Sequence, residues 1–211
     1  MQLFSITEST FQIPSSAGML EVVTQAPDVL LQAVTVIICH PHPLFGGTMN
    51  NKVVTTLAKT FRELGLRTVR FNFRGVGKST GTHDKGRGEL DDLFTVINGV
   101  KETYPHDSIW LAGFSFGAFV SISAASQVPF ARLVSIAPPV SYFGSKDAPV
   151  IRCPWVVVQG DADEVVDPES VYAWIERLNP KPALIRMPTG HFFHGQLLDL
   201  KENLKIALTP K

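Results

Sequence analysis

The chain has 211 residues, 45% of them hydrophobic, with 19 basic and 19 acidic side chains and no net charge. This length suits one domain with a sizeable core, so a single domain over residues 1–211 is expected. The charge balance offers no basic patch for nucleic acid and no charged block for a membrane surface. Apolar stretches such as Val34–Cys39 are far too short to span a bilayer. Met1–Glu8 lacks a basic segment followed by a long apolar one, so no secretory signal is expected and the chain reads as cytoplasmic. Cys39 and Cys153 each edge an apolar run, as buried free thiols do, which suits a reducing compartment.

In chain order, Phe4–Pro14 and Met19–Ala26 read as two strands around the turn Ser15–Gly18. Ala33–Cys39 is a continuous β-branched run, the mark of a strand buried on both faces. His40-Pro-His-Pro-Leu-Phe-Gly-Gly47 follows as a loop. Asn51–Leu64 places apolar residues near the helical period, and Gly65 stops the helix. Arg67–Phe71 is a strand, Phe73–Gly88 a long loop and Glu89–Tyr104 a helix ended by Pro105. A strand running to Gly113 leads into a helix that starts at Ser115. Leu133–Ala137, Trp155–Gln159 and Ala183–Met187 are further strands. Pro138–Pro149 is irregular, and Pro168–Leu178 and Gln196–Leu208 are helices. Strands thus alternate with helices from Ala33 onward. This implies an α/β fold with a mostly parallel sheet covered by helices on both faces. In such sheets ligands bind at the carboxyl ends of the strands. The loops holding His40–Leu44, Arg74–Ser79, Ser115, Asp161–Val166 and His191 all leave those ends.

Gly113-Phe114-Ser115-Phe116-Gly117 is a Gly-x-Ser-x-Gly between an apolar strand and an Ala-rich helix. That setting puts the serine on a tight turn with the first helical N–H groups beside it. Read plainly, Ser115 is only a helix cap. Read as a nucleophile, it needs a base, and the base needs a partner to fix its tautomer. His191, beside Gly190 after the last strand, is the candidate base; His194, three residues on, is its rival. Four acids follow the strand that ends at Gly160, and spacing alone leaves Asp161 and Asp163 open as the partner. Asp167, just before Pro168, reads as a helix cap.

Gly113–Gly117, Gly160-Asp-Ala-Asp-Glu-Val-Val166 and Gly190-His-Phe192 together resemble the α/β-hydrolase superfamily, and the order Ser, Asp, His is that superfamily's order. Arg74-Gly-Val-Gly-Lys-Ser79 looks like its Arg-Gly-x-Gly-x-Ser loop. The likeness is strongest to small bacterial serine hydrolases carrying His-Pro-His-Pro-Leu-x-Gly-Gly and His-Phe-Phe-His-Gly. It implies a three-layer α/β-hydrolase fold, catalytic residues Ser115, Asp163 and His191, and ester hydrolysis through an acyl-enzyme on a small-molecule acyl substrate. It also implies an oxyanion hole made by the Phe116 N–H and a second donor from the loop after the buried strand. Pro41 stands where relatives have glycine. With Pro41 and Pro43 lacking N–H, that donor is His42 or Leu44, and the offset favours His42. Pro138–Arg152 is too short for the helical cap many relatives insert, so no cap domain is expected. Pro138, Tyr142 and Phe143 then line the entrance, unless they are ordinary loop packing.

Other readings compete. Gly75-Val-Gly-Lys-Ser-Thr80 imitates the end of a phosphate-binding loop, but Asn72 replaces the required glycine and the glycines beyond oppose a following helix. A rigid turn is expected instead. His40, His42, His191 and His194 suggest zinc, yet no metal-ligand spacing is present and Ser115 would go unused, so no metal and no cofactor are expected. The same three residues would serve a peptidase, thioesterase or acyltransferase, and the fold would also serve a non-catalytic binding module. Arg74, Lys78 and Lys85 read as a solvated rim, or as a cationic mouth favouring an anionic substrate.

Overall fold

Short, largely apolar runs form the middle of the sheet. In the computed structural model, which describes residues 4–144 and 149–209, β3 (Val34–Cys39), β4 (Arg67–Phe71), β5 (Ser108–Phe114), β6 (Arg132–Ile136), β7 (Trp155–Gly160) and β8 (Ala183–Met187) pair in parallel. The hairpin β1 (Ser9–Ser15) and β2 (Gly18–Gln25) joins them antiparallel through β4. The order across the sheet is β1-β2-β4-β3-β5-β6-β7-β8.

Side chains alternate across a strand, so neighbours on one strand enter different cores. Ile37, Leu111 and Val157 face α2 (Arg87–Thr103), α3 (Phe116–Gln127) and α4 (Pro168–Glu176). Ile38, Ala112 and Val158 face α1 (Lys52–Glu63) and α5 (Leu197–Leu208). This is the three-layer α/β arrangement the alternation of strands and helices implies.

Local chemistry sets the boundaries. Asn51 caps α1 through Val53 N–H (2.9 Å), and Asp167 caps α4 through Ser170 N–H (3.1 Å). Most boundaries fall within one residue of expectation; α4 ends at Glu176, two residues before Leu178, and two starts differ as well. β1 begins at Ser9, not Phe4, because Ser5–Glu8 are exposed and meet the end of β2 through a single backbone bond, Ala26 N–H to Ser5 O, while Phe4 turns back onto the Tyr104 ring. α2 begins at Arg87, two residues early, because the buried Glu89 carboxylate reaches back to accept the Gly86 N–H at 2.7 Å. No helix among the described residues is long and apolar enough to cross a membrane.

The loop after β4 is pinned from beneath. Ser79 Oγ donates to Asn72 O (2.7 Å) and accepts from Glu21 N–H (2.9 Å), and the Glu21 carboxylate accepts from Asn72 Nδ2 and Lys78 N–H. The next helix begins only at Arg87, eight residues after Ser79, so the segment is a pinned turn and lacks the helix that directly follows the Lys-Ser of a phosphate-binding loop. Arg74 is not a mouth charge either. Its guanidinium grips the buried Asp92 carboxylate, with Nη2 to Oδ1 at 2.7 Å and Nε to each oxygen at 3.1 Å. Burial pushes the Asp92 carboxyl up, opposed by the Arg74 hydrogen bonds. Removing one partner strands a buried charge, so Asp92→Ala is expected to cost about 3–5 kcal/mol, read as a lowered urea midpoint. A midpoint unchanged by the substitution would refute this reading.

Candidate active site

Ser115 sits where β5 turns into α3, with φ +53° and ψ −121°, a backbone conformation that costs a non-glycine residue energy. The packing around it enforces that shape. A Cβ on Gly113 would lie 2.2 Å from Gly117 O, and one on Gly117 would lie 2.3 Å from Cys39 O. The strand, helix and β3 backbone therefore close around the serine only because both flanking positions are glycine. The Ser115 N–H is held by Ile136 O at 2.8 Å, which ties the turn to β6.

His191 enters from the loop after β8, and Asp163 from the loop after β7. Ser115 Oγ lies 3.0 Å from His191 Nε2, and His191 Nδ1 lies 2.8 Å from Asp163 Oδ2. Asp163 accepts at every position: Gln159 Nε2 at 3.0 Å on Oδ2, and the Val165 and Val166 N–H at 2.9 and 2.8 Å on Oδ1. Burial alone would raise its pKa. The His191 ring and the two backbone donors outweigh that and hold the carboxyl below the ordinary carboxylate range. An ionised Oδ2 requires a proton on Nδ1, which leaves the Nε2 lone pair facing the serine hydroxyl. The Phe114 and Phe192 rings flank the imidazole at 5.0 and 5.1 Å, and Glu164 accepts the His191 N–H at 3.1 Å. Only 2% of His191 and 7% of Asp163 are exposed, so little water competes for these bonds.

Residues 34–152 match the family model described as the alpha/beta hydrolase fold. The chain belongs to the alpha/beta hydrolase family. A Coxiella burnetii protein described as an alpha-beta serine hydrolase homologue is 50% identical, with a TM-score of 0.93 over 95% of this chain and 97% of its own. A Xanthomonas campestris protein described as an a/b serine hydrolase without lid is 46% identical, with a TM-score of 0.91 over the whole of both chains. An uncharacterized Rickettsia prowazekii protein is 33% identical over 168 residues, 74% of this chain and 71% of its own length. These likenesses support a hydrolase. The β6–β7 connection of this hydrolase spans residues 137–154. Among its described residues it forms a single 3-10 turn, Val140–Phe143.

The loop after β3 carries the remaining residues singled out in the hydrolase sequence. His40 is fully buried: its Nε2 accepts the Phe73 N–H at 3.0 Å, so its Nδ1 donates to Pro41 O at 2.6 Å. Burial, the largest influence, pushes its pKa down from 6.5 to about 4. A depressed pKa stabilises the fold above the unfolded value, and that contribution is lost as pH falls from about 6.5 to about 4. We expect the hydrolase to lose about 3 kcal/mol across that window from this one group, and His40→Asn to flatten the slope. Urea midpoints at pH 7, 6, 5 and 4 measure it; equal slopes in both proteins would sink the assignment.

His42 caps the 3-10 turn Pro43–Phe45 by accepting the Leu44 N–H on Nδ1 at 3.2 Å. Its ring rests on Phe45, Phe116 and His83, with centroids 4.8, 4.9 and 4.8 Å away. Burial, then the neighbouring His83, pushes the His42 pKa down. Ser115 opens onto two adjoining cavities of about 350 and 320 Å³, and His42 lines both. Tyr142 lines the first, as expected. Phe143 does not: it stacks on Trp174 at 5.5 Å in the core. His194 is exposed and turned away, and Asp161 lies on the surface against Arg186 at 2.8 Å.

Sequence reasoning missed Gln159, Glu164, Phe45 and His83. Gln159 left a signal, a lone polar side chain ending the apolar run Val156–Val158 just before the acidic loop. His83 left none, since its place beside His42 depends on how the β4–α2 loop folds back.

Proposed function

We propose that this hydrolase cleaves esters of small acyl groups, with Ser115 as nucleophile, His191 as base and Asp163 as its orienting partner. The unbroken line of hydrogen bonds from Ser115 Oγ through His191 to Asp163, with the tautomer fixed by an ionised carboxylate, carries the reading. In acylation, Ser115 Oγ bonds to the acyl carbon as its proton passes to His191 Nε2. The carbonyl oxygen becomes an oxyanion facing the Phe116 N–H at the start of α3 and the His42 N–H. Use of the Leu44 N–H by the His42 ring favours His42 over Leu44 as the second donor. The C–O bond to the leaving alcohol then breaks, and that oxygen takes the proton from His191. Water attacks the acyl-enzyme by the same route and frees the acid.

The short β6–β7 connection supports an open site suited to short acyl groups. We place the protein in the cytoplasm, where the free thiols Cys39 and Cys153 stay reduced. The test is turnover of p-nitrophenyl esters from acetate to laurate, with an alkylphosphonate p-nitrophenyl ester as covalent probe. We expect turnover falling with acyl length and one phosphonate per chain, on Ser115. Failure of both turnover and labelling would leave the non-catalytic binding module as the better account.

A further inference from the structure

The two cavities beside Ser115 differ in one respect that chemistry makes decisive. His191 and Phe192 line the cavity of about 320 Å³ and are absent from the lining of the one of about 350 Å³. Phe116, Val140, Tyr142 and Val166 line the larger and are absent from the smaller. Phe45 and Val165 belong to both. They are 84% and 60% exposed and, with His42 and Ser115, are the walls the two share.

Around a tetrahedral acyl carbon on Ser115 Oγ, three substituents remain to be placed. The oxyanion turns to the N–H donors at the start of α3 and in the loop after β3. The leaving oxygen must come within hydrogen-bond reach of His191 Nε2, because it takes its proton there. The acyl chain takes the direction that is left. Resting on the esterase reading above, we infer that the Val140–Tyr142 cavity holds the acyl chain and the Phe192 cavity holds the alcohol. The residues then define a substrate class. The acyl side has apolar walls, Val140, Tyr142, Val165 and Val166, and polar groups only at Ser141 and at the edge where Asp167 and Ser170 hydrogen-bond to each other, beside Ser115 and His42. It takes a short uncharged acyl chain. The alcohol side has two aromatic side chains, Phe45 and Phe192, against the low wall of Gly46 and Gly47. It takes an apolar alcohol as large as the acyl group, a phenol being the best fit. The preferred substrate is therefore an aryl ester of a short acyl group.

The experiment crosses two substitutions with two substrate series, acyl length at fixed alcohol and alcohol size at fixed acetate. Val140→Phe is expected to lower the hexanoate-to-acetate ratio of kcat/KM about tenfold, with the phenyl-to-methyl alcohol ratio moving less than about threefold. Phe192→Ala is expected to do the reverse. Tyr142→Ala, which enlarges the acyl side, should raise the hexanoate-to-acetate ratio and stands in if Val140→Phe does not fold. Labelling rates of Ser115 by phosphonates of increasing alkyl length should follow the acyl series in each variant. Swapped effects, or both ratios moving together in each variant, overturn the assignment while leaving the esterase reading intact. Absence of Ser115-dependent turnover and labelling in the wild type overturns the esterase reading, and the assignment falls with it.

Discussion

Ser115→Ala is expected to lower kcat for ester hydrolysis by about 10⁴- to 10⁶-fold, or roughly 5–8 kcal/mol of transition-state stabilisation. The loss is large because, among the described residues, Ser115 Oγ is the one hydroxyl bonded to His191 Nε2. It is not total, because the backbone donors proposed at Phe116 and His42 would still polarise a bound carbonyl for attack by water. The fold should not change. The Ser115 N–H bond to Ile136 O remains, and alanine meets the same φ of +53° as serine. Ser115→Gly separates the two effects. It should be equally inactive yet more stable by about 1–3 kcal/mol, because glycine removes the strain of that φ. Stopped assays and urea midpoints on the three proteins measure both. Activity within tenfold of wild type in Ser115→Ala would end the nucleophile assignment.

The second large effect is expected at Asp163. Asp163→Asn keeps the size of the side chain but changes what it offers. The Val165 and Val166 N–H groups both donate to one carboxylate oxygen, so the asparagine carbonyl must take that place. Its NH₂ then faces His191 Nδ1, which can only accept from it. The ring proton moves to Nε2, where it blocks acceptance of the serine proton. We expect kcat to fall about 10⁴-fold with KM little changed. Linkage gives a second readout. The Asp163 pKa is depressed in the fold, so its contribution to stability is present above the unfolded value and lost as pH falls through the folded one. Asp163→Asn should therefore be the less stable protein at neutral pH, and the gap should close on acidification. A variant with wild-type kcat and an unchanged acid slope would show that Asp163 neither orients His191 nor is held ionised by it. Glu164, already bonded to the His191 N–H, would then be the next acid to test.

The layers of this protein were legible in its sequence because they follow from local patterns. Runs such as Val34–Cys39 are continuously β-branched or apolar, carry no charge, and are buried on both faces. Helices such as Lys52–Glu63 bury one stripe and are bounded by caps their own residues provide. The serine turn was legible for the same reason: Gly113 and Gly117 flank Ser115 within five residues, and the close approach they permit is a property of that segment alone. Given strand-helix alternation, the carboxyl-edge loops had to hold the site, and His191 was readable from its place after the last strand.

Tertiary structure decided what depends on residues far apart in the chain. Asp161 and Asp163 are equivalent by spacing. Only the turn after β7 aims Asp163 at His191, 28 residues away, and sends Asp161 to Arg186 at the surface. The Arg74 charge looked available until Asp92, on a helix 18 residues later, was seen to bury it. Glu164 and His83 became neighbours of the site through loop conformations that their own sequences do not specify, and Gln159, at the end of β7, meets Asp163 only because the following turn brings the carboxylate back to it. The two cavities beside Ser115 exist only where the loops after β3, β6, β7 and β8 meet. A segment's secondary structure is set by its own side-chain periodicity. The distances between catalytic groups are set by how separate loops pack, and no single segment contains that information.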